Sequence, residues 1–159
     1  MTAHIIHDSA PLGALVRYTD HAPKPPARFT KKLAAWERRN GIGRLVRKEP
    51  ARQRPTYTSP ASITLHEGNF ASEGVILVMV MRTHSVDSDL SFEVVEEPRI
   101  GMVRVLQQVG ENRELLHLAE NREAAELWLA RNPYAQAVLE TYAGHQVEDI
   151  APEAPQQSI

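Results

Sequence analysis

Alternating apolar and polar residues predict several short strands in this chain. The first lies at residues 12–18, where every second residue from Leu12 to Tyr18 is apolar or aromatic. The strongest strand prediction is residues 74–84, because its centre is apolar on both faces, as in a strand covered on both sides. The other predicted strands lie at residues 42–47, 62–66, 90–96, 102–109 and 114–118, of which the last two form a hairpin.

A helix is predicted at residues 30–40, where apolar residues recur at helical spacing. Thr30 is expected to cap its N-terminus, and Gly41 is expected to end it as a C-terminal cap. A phosphate-binding glycine loop around Gly41 and Gly43 is a weaker interpretation, because such a loop follows a strand and precedes a helix. The face expected to pack inward carries Phe29, Leu33 and Trp36.

The rest of the chain completes the predicted organisation. A second helix should run from a cap at Asn121 to about Arg131. Residues 134–142 fit either a strand or a helix. Loops are expected at residues 50–60, which contain three prolines, and at residues 67–69, and a disordered tail is expected at residues 148–159.

Together these elements predict an α+β fold, in which an antiparallel sheet of about five or six strands packs against one or two helices. We expect one domain at residues 1–147 that includes a basic N-terminal segment at about residues 22–56. The composition, 42% hydrophobic and 24% charged, is typical of a globular domain with a sizeable core.

Composition also excludes several kinds of chemistry. The chain has no Cys, which rules out disulfides, thiol nucleophiles and Cys-based metal sites. It has no Lys after Lys48, so the C-terminal two-thirds holds no Schiff-base lysine. No apolar run approaches 18 residues, and residues 1–8 lack the features of a secretory signal. We therefore expect a cytoplasmic protein that does not enter a membrane.

The distribution of charge is the strongest functional signal. Residues 1–54 hold 12 Lys or Arg against 4 Asp or Glu, and residues 55–159 hold 6 against 16. The overall net charge of -2 therefore conceals a basic part and an acidic part. Such asymmetry indicates contact with an anionic partner, of which nucleic acid is the leading candidate.

The cations that we expect to contact nucleic acid lie on the exposed face of the first helix and on its flanks. Neutralising phosphates with Lys and Arg releases condensed counterions, which favours binding of any polyanion. No zinc finger, basic zipper or RNA-recognition signature accompanies them. The predicted contact residues are Arg28, Lys31, Lys32, Arg38, Arg39, Arg44, Arg47 and Lys48.

Two other interpretations of these charges remain open. The cations can pair with acids of the same chain, or they can form a solvated face. Alternatively, the protein is an interaction module whose basic helix and acidic face bind partner proteins or further copies of itself. The acidic face consists of Glu93, Glu96, Glu97, Glu111 and Glu114.

A divalent metal site is a further candidate, in a metal-dependent hydrolase. Imidazole and carboxylate suit Zn²⁺ or Mn²⁺, and the candidate ligands are His66, His84, Asp87 and Asp89. The simpler interpretation is that Asp and Ser stabilise a turn after the strand at residues 74–84. His4 and His7 would share a face only on a helix, and the pattern predicts none there.

The sequence therefore favours a non-enzymatic accessory protein that contacts nucleic acid, DNA or RNA, or a complex that handles nucleic acid. It contains no nucleophile-elbow motif, and no cofactor is expected. A protein partner or self-association is the alternative. Binding to nucleic acid should be largely independent of sequence and strongly weakened by salt.

Overall fold

The computed structural model of the protein describes residues 1–72, 75–110, 112–134 and 136–144. The helices in these ranges are α1 (Ala3–Ser9), α2 (Thr30–Arg39) and α3 (Arg122–Arg131). The strands are β1 (Leu15–Thr19), β2 (Gly41–Glu49), β3 (Arg52–Gln53), β4 (Thr58–Ser59), β5 (Ser62–Ser72), β6 (Val75–Ser85), β7 (Ser91–Glu96), β8 (Val103–Val109), β9 (Asn112–Ala119) and β10 (Ala137–Thr141). No helix in the described ranges has the length and apolar character needed to cross a membrane.

Strand β2 joins the parts of an eight-stranded antiparallel sheet. Its first residues, Gly41 to Arg44, pair with β1, which pairs in turn with β7. Its later residues pair with β5 and, at Arg47, with β9. β6 flanks β5, β8 and β10 follow β9, and β3 and β4 form a separate small sheet. The predicted α+β class with an antiparallel sheet is confirmed, with more strands than the pattern indicated.

The larger core lies between α1 and the sheet. Val16 and Tyr18 of β1 are buried there, as the alternation predicts. α1 contributes Ala3 and Ile6, which are fully buried, although the pattern predicts no helix at the N-terminus. A seven-residue helix is too short to show a helical repeat in the sequence. In the structure, the Thr2 side chain caps the helix and the burial of Ala3 and Ile6 stabilises it.

A second, smaller core lies between α3 and strands β8 and β9, where Val103 and Ala119 pack with Ala125. The predicted cap of α3 is confirmed, because the Asn121 side chain accepts a hydrogen bond from the backbone N–H of Ala124 at 2.8 Å. Residues 134–142, which fit either a strand or a helix in the sequence, contain β10.

Two predicted loops contain strand structure instead. Strand β5 continues through the predicted turn at residues 67–69, because a register shift between His66 and Gly68 accommodates one extra residue within the pairing. Residues 50–60 contain β3 and β4. The predicted tail at residues 148–159 lies outside the described residues.

The capping residues predicted at the two ends of α2 are wrong. Phe29, not Thr30, occupies the N-cap position, and no side chain caps the helix there. Gly41 does not end the helix in a left-handed conformation but begins β2, one residue after α2. Because Gly41 has no side chain, the Tyr18 ring can pack directly against its backbone. A Cβ at Gly41 would lie 2.5 Å from the Tyr18 hydroxyl oxygen.

The Gly41→Ala variant should therefore lose about 1–3 kcal/mol of unfolding free energy, as in other overpacked sites. Urea denaturation of the purified protein measures this loss. Gly68→Ala is the matched control, because an added Cβ at Gly68 meets no atom within 4 Å. Equal stability of the two variants would contradict the close packing of Gly41 against Tyr18.

Candidate nucleic-acid interface

Helix α2 lies outside both cores. None of its residues is buried, and neither core includes one of its side chains. Leu33 and Trp36, which the helical spacing predicts on an inward face, are only half-buried, and Phe29 is 41% exposed. The amphipathic pattern therefore predicts the helix correctly but overstates its burial.

The C-terminal end of α2 is attached to the sheet by a group of polar residues, here called the α2 clamp: Asp20, Arg39, Asn40 and Asp89. Arg39 Nε lies 3.2 Å from Asp20 Oδ2, and Arg39 Nη2 lies 2.9 Å from Asp89 Oδ2. Asn40 Nδ2 donates to Asp20 Oδ1 at 2.9 Å. The clamp fixes one end of α2 next to the end of β1 and to the turn before β7.

The electrostatics of the clamp favour its charged form. Hydrogen bonds from Asn40 and from the Ala22 backbone N–H, with Arg39 beside them, lower the pKa of the Asp20 carboxyl. Asp89 and Asp20 in turn raise the pKa of Arg39. Trp36 adds a neutral attachment, since its Nε1 donates to the Ala22 carbonyl at 2.8 Å. These contacts hold the helix without covering its cationic face.

Four of the predicted contact residues remain exposed on α2 and at its start: Arg28, Lys31, Lys32 and Arg38. Among the described residues, no carboxylate forms an ion pair with any of them. The positive end of the helix dipole lies near Lys31 and Lys32 and adds to the positive potential, because no side chain caps that end.

The exposed ring of Phe29 lies within this cationic group. The Arg28 guanidinium carbon lies 4.9 Å from the ring centroid, and Lys32 Nζ lies 5.1 Å from it. Cations at this distance from a ring are attracted to its face. The group thus combines an exposed aromatic ring with positive charge. Proteins that bind single-stranded nucleic acid use this combination, because bases stack on the ring and the cations attract the phosphates.

The other four predicted contact residues are engaged with the protein itself. Arg39 belongs to the α2 clamp, and Arg44 Nη1 donates to the Gly13 carbonyl at 2.7 Å. Arg47 Nε lies 3.1 Å from Glu49 Oε1. Lys48 is only 3% exposed, because a register shift between Leu45 and Arg47 turns it to the same side as buried residues. Simple alternation along β2 cannot reveal such a shift.

The predicted acidic face does not meet the cations of α2 among the described residues. Glu93 lies 3.8 Å from Arg17, and Glu114 is paired in register with Arg47. Glu96 and Glu97 are exposed, and Glu111 lies outside the described residues. The described acids that pair with α2 are Asp20 and Asp89 of the clamp. Both are far from Arg39 in the sequence, so the spacing of residues along the chain could not predict these pairs.

The metal candidates do not converge on one point. The His84 ring packs against Tyr18 and Phe92, with centroid distances of 4.5 and 5.4 Å. Asp89 pairs with Arg39, and Asp87 is exposed. Across the described ranges, no group of three His, Asp or Glu side chains is placed to hold a metal ion. The structure therefore lends no support to a hydrolase built on these residues together with His66.

Two buried polar groups were not apparent from the sequence. The Tyr18 hydroxyl donates to Glu67 Oε2 at 2.7 Å, with Arg82 Nε 3.5 Å from the same oxygen. Burial and Glu67 together raise the pKa of Tyr18. The second group lies on β8, β9 and β10, at the other end of the sheet.

Arg104 is fully buried and forms an ion pair with Glu140, which also pairs with Arg113. Burial opposes ionisation of Glu140, but the hydrogen bonds and charges of the two arginines outweigh it and lower the pKa of its carboxyl. The Tyr18–Glu67–Arg82 group and the Arg104–Glu140–Arg113 group each connect different strands of the sheet, and we interpret both as contacts that stabilise the fold. Neither contains an exposed cation for a polyanion.

The half-buried imidazole of His84 should make stability depend on pH. Burial and the nearby Arg82 lower its pKa in the folded protein, so the unfolded chain binds the proton more readily. Unfolding free energy should therefore fall as pH decreases below about 6.5, by no more than about 1.4 kcal/mol per pH unit for one group. The loss is complete once pH lies below the folded-state pKa.

Urea denaturation at several pH values between about 7.5 and 5 tests this dependence. The His84→Phe variant should show a smaller decrease than the original protein, with part of the decrease remaining because burial also lowers the pKa of His117. His4→Gln, at an exposed position, is the control. An unchanged decrease in His84→Phe would contradict a lowered pKa of the half-buried His84.

Comparison with known proteins places the chain in a family. No curated protein and no solved structure matches the chain. A family that is described as "Uncharacterised conserved protein UCP036055" matches residues 1–146, a range that includes α2, its clamp and the whole sheet. The chain belongs to that family.

Proposed function

We propose that this protein is a non-enzymatic accessory protein that contacts nucleic acid through α2. The observation that carries the proposal is the group of four exposed cations described above, which has no carboxylate partner among the described residues. A helix that belongs to neither core contributes little to folding through its exposed face. Binding a polyanion is a use that explains why this face is almost purely cationic.

Counterion release supplies most of the binding free energy in this proposal. Each phosphate that a Lys or Arg neutralises releases condensed cations into solution, so affinity falls steeply as salt increases. The interface offers no fork of side chains fixed for reading base edges, and sequence preference should therefore be weak. The Arg28 guanidinium can contact two phosphate oxygens, whereas Lys31 and Lys32 act as point charges.

The other four predicted cations have a supporting part in the proposal. Arg39 holds α2 in place through the clamp, and Lys48 is buried. Arg44 and Arg47 are half-buried on β2, and each already has a partner within the chain. They contribute positive potential beside α2, while the direct contacts belong to Arg28, Lys31, Lys32 and Arg38.

Fluorescence anisotropy with labelled DNA and RNA at about 50 mM salt tests the proposal. The double variant Lys31→Gln/Lys32→Gln should bind at least about tenfold more weakly, because it loses two phosphate contacts. The matched control is Arg122→Gln/Arg131→Gln, which removes the same charge from exposed positions of α3. Its affinity should change less than about twofold.

Two results would contradict the proposal. One is a lack of binding to any of these nucleic acids at about 50 mM salt. The other is an equal loss of affinity in the α2 double variant and in the α3 control, which would show that net charge alone matters. Far-ultraviolet circular dichroism of each variant confirms that the fold is retained.

An interaction module is the second candidate, and one observation favours it. Glu96 and Glu97 are exposed at the end of β7 and form no ion pair with a described residue, so an acidic patch and the α2 cations are both available to a second copy. In this arrangement the basic helix of one molecule would contact the acidic strand end of the next.

Sedimentation velocity distinguishes this candidate. Head-to-tail association should raise the apparent mass at low salt, and Glu96→Gln/Glu97→Gln should abolish the increase. Glu123→Gln/Glu126→Gln on the exposed face of α3 is the charge-matched control. A protein that remains monomeric at low salt and binds nucleic acid would exclude the module as the main function.

A further inference from the structure

The small β3–β4 hairpin forms a second exposed cationic and aromatic surface. Arg52 pairs in register with Ser59, and the turn is closed by a hydrogen bond from Arg54 N to the Tyr57 carbonyl at 2.8 Å. Arg52 and Arg54 are exposed, and the Tyr57 side chain is 59% exposed. The hairpin belongs to neither core, and it is a separate sheet.

The hairpin carries two exposed cations, Arg52 and Arg54. Among the described residues, no carboxylate forms an ion pair with Arg52 or Arg54. Tyr57 presents a large ring to solvent although burial of a Tyr would stabilise the fold. An exposed ring on the same short hairpin as two exposed arginines is suited to stacking on a base while the cations contact neighbouring phosphates.

A similar combination occurs at the start of α2, where the Arg28 guanidinium carbon and Lys32 Nζ lie 4.9 and 5.1 Å from the centroid of the exposed Phe29 ring. In the chain the two surfaces are connected through α2 and β2. Only Asn40 separates the two elements, and the hairpin begins at Arg52, shortly after the end of β2. At about 3.3 Å per residue, the nine-residue β2 spans about 26 Å from the end of α2 to the strand end that precedes the hairpin.

The path between the two surfaces is also basic in part. Arg44 and Arg47 lie along β2, and both are half-buried. Arg47 is close to Glu49 at the hairpin end of β2 and Lys48 is buried, so the strand presents less net charge to solvent than the two surfaces that it lies between in the chain. The charge distribution therefore favours a ligand that is held at two ends and touches the strand lightly between them.

We propose that the β3–β4 hairpin and the start of α2 bind the same single nucleic-acid strand, each stacking one base on its exposed ring. This proposal rests on the proposed function and specifies its ligand. At the 3.4 Å spacing of a stacked strand, a ligand that follows the length of β2 covers about eight nucleotides. A single strand is required because the bases of a duplex do not present their faces to a protein ring.

The length of the ligand and the hairpin residues provide the test. Anisotropy at about 50 mM salt measures binding to oligothymidines of three and twelve nucleotides and to a duplex of twelve base pairs. The three-nucleotide strand is too short to reach both surfaces. We expect the twelve-nucleotide strand to bind at least about tenfold more tightly than the short strand, and more tightly than the duplex.

Substitutions in the hairpin should remove the advantage of the longer strand. Arg52→Gln/Arg54→Gln should weaken binding of the twelve-nucleotide strand about tenfold, and Tyr57→Ala should weaken it at least about fivefold. Binding of the three-nucleotide strand should change less in both variants, because α2 alone can hold it. The control is again Arg122→Gln/Arg131→Gln.

The outcomes separate this proposal from the proposed function. If Lys31→Gln/Lys32→Gln weakens binding while the hairpin variants match the control, the second contact is wrong and the role of α2 stands. Tighter binding of the duplex than of the single strand would overturn base stacking. A protein that binds none of these oligonucleotides would contradict both proposals.

Discussion

The close approach of Tyr18 to Gly41 is the constraint on which the arrangement of α2 depends. The Tyr18 hydroxyl occupies the space of a side chain at Gly41, so β1 and β2 meet tightly at the point where the helix joins the sheet. Only Asn40 separates α2 from β2, which leaves no linker long enough to fold the helix back onto a core. Asn40 and Arg39 then bind Asp20, which fixes the end of the helix next to the end of β1 and the start of β2.

The acids of the chain are distributed so that this helix keeps its positive potential. Glu67 and Glu140 pair inside the sheet, with Arg82 and with Arg104 and Arg113. The clamp takes up Arg39 alone, at the end of the helix. Within the described residues, the strongly acidic C-terminal part of the sequence therefore supplies α2 with one ion-pair partner, Asp89. The exposed cations Lys31, Lys32 and Arg38 keep their positive potential at the surface.

The sequence predicts those features that depend on local repeats. The helices from Thr30 and from Asn121, the alternation of β1 and the β8–β9 hairpin are all visible in spacing alone. The features it could not predict depend on contacts between distant segments: the bulge that turns Lys48 inward, the Asp89–Arg39 pair, and the close packing that explains Gly41. Consequently, the sequence identifies the basic segment, but only the structure separates its exposed cations from its internally paired ones.

The dependence of affinity on salt tests the availability of these cations most directly. For a single strand, the logarithm of the binding constant should fall with the logarithm of salt concentration with a slope of about −0.7 for each phosphate contact. The four exposed cations of α2 predict a slope of about −3, and Arg52 and Arg54 would increase it to about −4. A slope close to zero would contradict the central claim, because it would show that the basic helix does not neutralise phosphates.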